Sequence, residues 1–114
     1  MISRNWRGVA THEAADKYVR HLQLETFPEL SRIPGFVSAS VLRRPTSNGV
    51  EFLIVTTWES MDAIRLFAGN SVEIAVVPSA VQAMMVEYDH EVTHYEIAAV
   101  HTSAARDSSD KTGS

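Results

Sequence analysis

At 114 residues, 45% hydrophobic and without cysteine, the chain has room for one core and excludes disulfides, thiolate nucleophiles and cysteine-based zinc or iron–sulfur sites. Ten basic residues against fourteen acidic ones leave a net charge of −4 spread without blocks, which offers no electrostatic footprint for nucleic acid or an anionic membrane. No run is long enough to span a bilayer and the N-terminus lacks an apolar signal core, so a cytoplasmic protein is expected.

Ile2 to Val9 alternates loosely, with Ile2, Arg4 and Trp6 on one side and Ser3, Asn5 and Arg7 on the other, and predicts a first strand. Thr11 is placed to cap a helix whose apolar stripe runs through Ala15, Tyr18, Val19, Leu22, Phe27 and Leu30. Pro28 either kinks that helix or starts a fresh turn, and Ile33-Pro34-Gly35 ends it. Phe36 to Arg44 alternates again, and the turn Pro45 to Gly49 joins it as a hairpin to the run from Val50. Phe52 to Val55 is apolar at four successive positions, so that strand needs cover on both faces of its sheet.

Ser60 caps a short helix, Met61 to Ala68, stopped by Gly69. Residues 70 to 85 are apolar and partly helical, with Pro78 opening a turn or two through Met84, and Val86 to Val100 reads as one long final strand. Residues 1–100 form the domain, and the polar tail 101–114 is expected to be flexible. The order β, α, β, β, α, β defines an α+β, ferredoxin-like fold, a four-stranded antiparallel sheet with both helices on one face. One chain of this length covers only one face, which predicts a homodimer joined through its sheets and a pocket between each sheet and its own helices.

Several signals have plain structural readings. His90 and His94 are four apart, roughly 13 Å along a strand and too far to share a metal ion. His12 and His21 fall on the first helix and His101 precedes the tail, positions that suit solvated side chains. Trp58, at the end of the central strand, suits a core anchor as well as a ligand contact. No nucleotide-binding, hydrolase or zincin motif occurs.

Taken together, RNWRG, Pro34-Gly35, Arg43-Arg44, EFLIVTTWES, AIRLFAG and HYEI resemble the antibiotic biosynthesis monooxygenase superfamily of dimeric α/β barrels, in particular its small bacterial members. The resemblance covers about residues 2 to 100. It implies dimerisation through the sheets and a pocket for a flat aromatic molecule. Superfamily members include cofactor-independent monooxygenases, haem-degrading enzymes and proteins with no demonstrated chemistry. Haem-degrading members use an asparagine, a tryptophan and an iron-ligating histidine, at positions that correspond to Asn5, Phe67 and Val77. Without an imidazole at Val77 haem is disfavoured, and no metal or cofactor is expected.

A cofactor-independent enzyme acting on a quinol or phenol needs a proton acceptor, donors for the developing oxyanion and a dry aromatic wall. On these grounds His94 and Asn5 are candidate catalytic residues, and Arg4, Trp6, Trp58 and Phe67 candidate substrate contacts. Strict alternation sets Asn5 apart from Arg4 and Trp6 unless a bulge intervenes. The expected function is cofactor-independent monooxygenation of a small aromatic or quinol-like substrate. The alternatives are a non-catalytic dimer that binds a small hydrophobic ligand or a partner and, second, haem degradation.

Overall fold

A computed structural model describes residues 1–103. Residues 104–114, most of the expected tail, lie outside the described part. The chain folds as an antiparallel sheet with its helices on one face. The elements are strand β1 (Ile2–Ala10), helices α1 (Ala15–His21) and α2 (Phe27–Leu30), strands β2 (Phe36–Thr46) and β3 (Gly49–Trp58), helices α3 (Met61–Ala68) and α4 (Ser79–Gln82), and strands β4 (Met85–Tyr88) and β5 (Thr93–Glu96). The order across the sheet is β2-β3-β1-β4, with β5 also paired to β1. No described helix is long and apolar enough to cross a membrane.

The final strand departs from expectation. β4 pairs with Gly8 to Ala10 and β5 with Ile2 to Asn5, so one lane of the sheet is shared by two short strands. Between them the chain finds other partners: Val92 N–H donates to Glu73 O at 2.8 Å, and Ala75 N–H to His90 O at 2.9 Å. These bonds draw 90–92 toward the irregular segment 72–75, and the ladder along β1 is interrupted there. Alternation in the sequence could not reveal it, because the competing partner lies far along the chain.

Residues 15 to 30 form a continuous helical stretch with a π-helical turn, Leu22–Thr26, between α1 and α2. Pro28 lacks an N–H and crowds the preceding turn, and a wider turn just before it accommodates both effects. Thr11 Oγ1 accepts from Ala14 N–H at 3.1 Å, so it caps the entry turn and not the helix itself, which starts at Ala15. α3 has the expected bounds, with Ser60 Oγ accepting from Ala63 N–H and Gly69 beyond its end at φ 78°. Gly35, at φ 92°, packs where a Cβ would meet the Ala63 Cβ at 2.5 Å, so the turn into β2 needs glycine.

Alternation along β3 divides the sheet. Phe52, Ile54, Thr56 and Trp58 face the helices and are buried, while Leu53 is 39% exposed on the far face. Beside Leu53 on that face lies Leu42 of β2 at 49% exposure, and farther along the same face, opposite Ser3 of β1, lies Tyr95 of β5 at 61%. Glu51 closes one end of this face by pairing with Arg7 at 2.6 Å and Arg44 at 2.5 Å. Within one chain the sheet is open, and its second side has no cover among the described residues.

Candidate functional site

A cavity of about 570 Å³ lies between the helix-facing side of the sheet and the helical stretch 15–30. Arg4, Trp6, Ile54 and Thr56 come from the sheet; Tyr18, Leu22, Phe27 and Leu30 from the helices; Phe67 from α3; and Val76, Val77 and Val81 from the wall that follows. His21, Glu25 and Glu29 also line it, with the two carboxylates on the exposed side.

Arg4 is the main polar group. It is 5% exposed, yet no carboxylate pairs with it among the described residues. Its Nη1 donates to Val72 O at 2.5 Å and its Nη2 to Ile74 O at 3.0 Å, which fastens the irregular wall to the sheet. Nη1 also lies 3.0 Å from His94 Nε2. A guanidinium only donates, so His94 Nε2 accepts and the neutral ring carries its proton on Nδ1. Burial pulls the Arg4 pKa down, but the group remains cationic. His94 is held below the usual imidazole range by burial first and by the Arg4 charge second, with Glu73 opposing.

Trp6 and Phe67 supply the aromatic wall. The Trp6 ring folds back over Gly8, where a Cβ would meet its Cη2 at 2.5 Å, and its Nε1 donates to Asp89 O at 2.8 Å. Phe67 stands 5.6 Å from the Arg4 guanidinium carbon, in cation–π range. Trp58, expected as a substrate contact, is instead fully buried behind Phe67. The two rings stack at 5.9 Å, and Trp58 Nε1 donates to Thr56 Oγ1 at 2.9 Å. It supports the wall without being part of it.

Asn5 is not in the cavity. The strand runs without a bulge at this point, so Asn5 pairs with Val55 and Thr93 on the open side of the sheet. There its Nδ2 donates to Ser3 Oγ and Thr93 O, each at 3.1 Å. Alternation between neighbours decides the question against a shared site for Asn5, Arg4 and Trp6. Arg4, Trp6, Phe67 and, through Arg4, His94 are brought together.

Tyr18 is the residue that sequence reasoning missed, because it fits the apolar helical stripe. Its ring packs edge-on against Phe52 at 4.9 Å and lies 6.4 Å from Trp6. Burial pushes its hydroxyl pKa well above the usual tyrosine value, so it stays a neutral donor.

The haem-degrading arrangement does not fit these residues. Val77 lines the cavity but carries no ligating atom, His94 Nε2 is already engaged by Arg4, and His21 Nδ1 lies 3.3 Å from Glu25 at the entrance. Among the described residues no three His, Asp or Glu side chains converge on a metal-sized site.

A sequence profile of the antibiotic biosynthesis monooxygenase family matches residues 6–71, more than half of the chain, which therefore belongs to that family. No curated protein matches it in sequence. Among solved structures it is similar to SnoaB, a cofactor-independent oxygenase from Streptomyces nogalater, at 16% identity over 87% of this chain and 94% of that one, with TM-score 0.61. It is similar to the ActVA-Orf6 monooxygenase of Streptomyces coelicolor in complex with nanaomycin D at 17% identity, over 90% and 91% of the two chains, TM-score 0.58. The haem-degrader MhuD from Mycobacterium tuberculosis, with two haems bound, is similar at 15% identity over 90% and 100%, TM-score 0.59. At these identities the likeness speaks for the fold alone.

Proposed function

We propose that the protein is a cofactor-independent monooxygenase acting on a quinol-like aromatic substrate in the cavity between sheet and helices. The observation that carries this reading is the Arg4–His94 pair. Arg4 is a buried cation on the lining of an aromatic-walled cavity, and the neutral His94 imidazole stands directly behind it at 3.0 Å, so the pair supplies the donor and, once a ligand reaches past Arg4, the proton acceptor that quinol activation requires. Family membership and the likeness to a cofactor-independent oxygenase support it.

A quinol hydroxyl reaching this pair gives its proton to His94 Nε2 while its oxygen takes over the Arg4 Nη1 donor. The resulting quinolate passes an electron to dioxygen, and the two radicals recombine at a ring carbon. Loss of water then leaves a hydroxyquinone. One oxygen atom enters the ring and the other leaves as water. The quinol supplies the electrons, so the balance needs no flavin, haem or external reductant. Trp6 and Phe67 keep the ring apolar-walled, and Trp58 holds Phe67 in place.

The same proposal includes a homodimer joined through the open sheet faces. Leu42 and Leu53 are large, exposed and paired there, and Tyr95 is exposed farther along the same face, as expected of a face that a second copy covers.

Oxygen uptake with a panel of quinols, corrected for spontaneous oxidation, tests the reading. Wild type is expected to accelerate uptake and His94→Ala to lose most of the acceleration. A His94→Ala protein that oxidises as fast as wild type removes the role given to the imidazole. Tight ligand binding without uptake would make the protein a binding module.

A further inference from the structure

Tyr18 and Arg4 share an unusual condition. Tyr18 is 2% exposed, and no group among the described residues hydrogen-bonds its hydroxyl. The Arg4 Nε–H likewise has no partner among the described residues. No side-chain nitrogen or oxygen among the described residues is both buried and unpartnered. These two atoms therefore retain contact with accessible space, and the cavity that both residues line is that space.

Unsatisfied donors and an uncompensated buried cation are costly, and both costs disappear when a ligand presents matching acceptors. The remaining polar group on the sheet floor, Thr56 Oγ1, is occupied, accepting from Trp58 and lying 3.5 Å from Arg4 O. The inner cavity thus offers donors and asks for acceptors. Glu25 and Glu29 stand at the exposed rim, in water, so discrimination by charge falls to Arg4 on the floor.

We propose that the cavity recognises flat aromatic anions with two oxygens, an ionised oxygen held by Arg4 and a second carbonyl or phenolic oxygen that accepts from the Tyr18 hydroxyl. Tyr18 is then a positioning residue: it fixes which oxygen of the ring system meets the Arg4–His94 pair. This inference rests on the proposed cavity as the ligand site but not on catalysis there. It extends to product as well as substrate, because monooxygenation of a naphthohydroquinone yields a hydroxynaphthoquinone that is ionised at neutral pH.

The probe is 2-hydroxy-1,4-naphthoquinone, compared with its neutral methyl ether. Both are already oxidised, so turnover plays no part, and the chain has no cysteine for a quinone to alkylate. Binding is read from the visible absorption of the anion and from Trp6 quenching. Wild type should prefer the anion by roughly tenfold or more. Tyr18→Phe, which loses no hydrogen bond among the described residues, should weaken both ligands by about three- to tenfold and keep the preference. Arg4→Met should abolish the preference. Equal affinity for anion and ether in wild type, or undiminished affinity in Tyr18→Phe, would overturn the proposal. Those two results decide it even if Arg4→Met does not fold. Anion binding without oxygen uptake would leave this inference standing while the monooxygenase reading fell.

Discussion

Arg4 Nη1 lies 3.0 Å from His94 Nε2, across paired positions of β1 and β5, and the imidazole can take part only as an acceptor. The protein thereby favours the neutral ring. The unfolded chain binds that proton near pH 6.5, whereas the folded chain resists it. Stability therefore falls as pH drops through about 6.5 and continues to fall until the native imidazole is also protonated. His94→Gln keeps an acceptor for Arg4 but cannot titrate. Melting temperature followed from about pH 8 down to about pH 5 should decline more steeply for wild type than for His94→Gln. Parallel curves would show that His94 is not linked to folding.

Trp58 and Phe67 stack, yet they should separate cleanly in experiment. Trp58 is completely buried, so Trp58→Phe should lower the melting temperature while leaving affinity for hydroxynaphthoquinone within about twofold. Phe67 is only half-buried and faces the cavity, so Phe67→Ala should cost affinity as well as about 2–3 kcal/mol of stability. Denaturant midpoints and ligand titrations on the two variants check this. If Trp58→Phe loses affinity as Phe67→Ala does, Trp58 belongs to the wall after all.

Asn5 lies across the sheet from the cavity, so Asn5→Ala should leave the rate of oxygen uptake unchanged. The lost hydrogen bonds to Ser3 and Thr93 should cost about 1 kcal/mol, measured by denaturant unfolding. A large fall in rate with stability intact would place Asn5 in the chemistry.

Leu53 is the central apolar residue of the open face. Placing a carboxylate there buries an unpaired charge in any face-to-face dimer. Sedimentation velocity at micromolar concentration should show a dimer for wild type and a monomer for Leu53→Glu. A wild-type monomer would remove the shared-sheet arrangement.

Much of this architecture is written locally. The hairpin turn lies where expected but is tighter, Ser47-Asn48 alone, because Pro45 and Thr46 still pair with Val50 and Gly49; Ser60 and Gly69 bracket α3, and the four apolar residues Phe52 to Val55 mark the strand that is apolar on both faces. Alternation along β1 also contained the conflict between Asn5 and Arg4 that the structure resolves. What the sequence hid depends on distant partners. The break between β4 and β5 follows from bonds to Glu73 and Ala75, and Trp58 is displaced from the cavity because Phe67 covers it. Tyr18 is the clearest case: its spacing places the ring in the core stripe, whereas its place on the cavity lining depends on Trp6 and Phe52, which come from other elements.

The most direct test of the account is oxygen uptake with 1,4-dihydroxynaphthalene at neutral pH, wild type against Arg4→Met, both shown to be folded and both corrected for spontaneous oxidation. The account predicts that wild type consumes oxygen well above the spontaneous rate and forms 2-hydroxy-1,4-naphthoquinone, and that Arg4→Met falls to that rate. Uptake by Arg4→Met equal to that of wild type, with the same product, would contradict it.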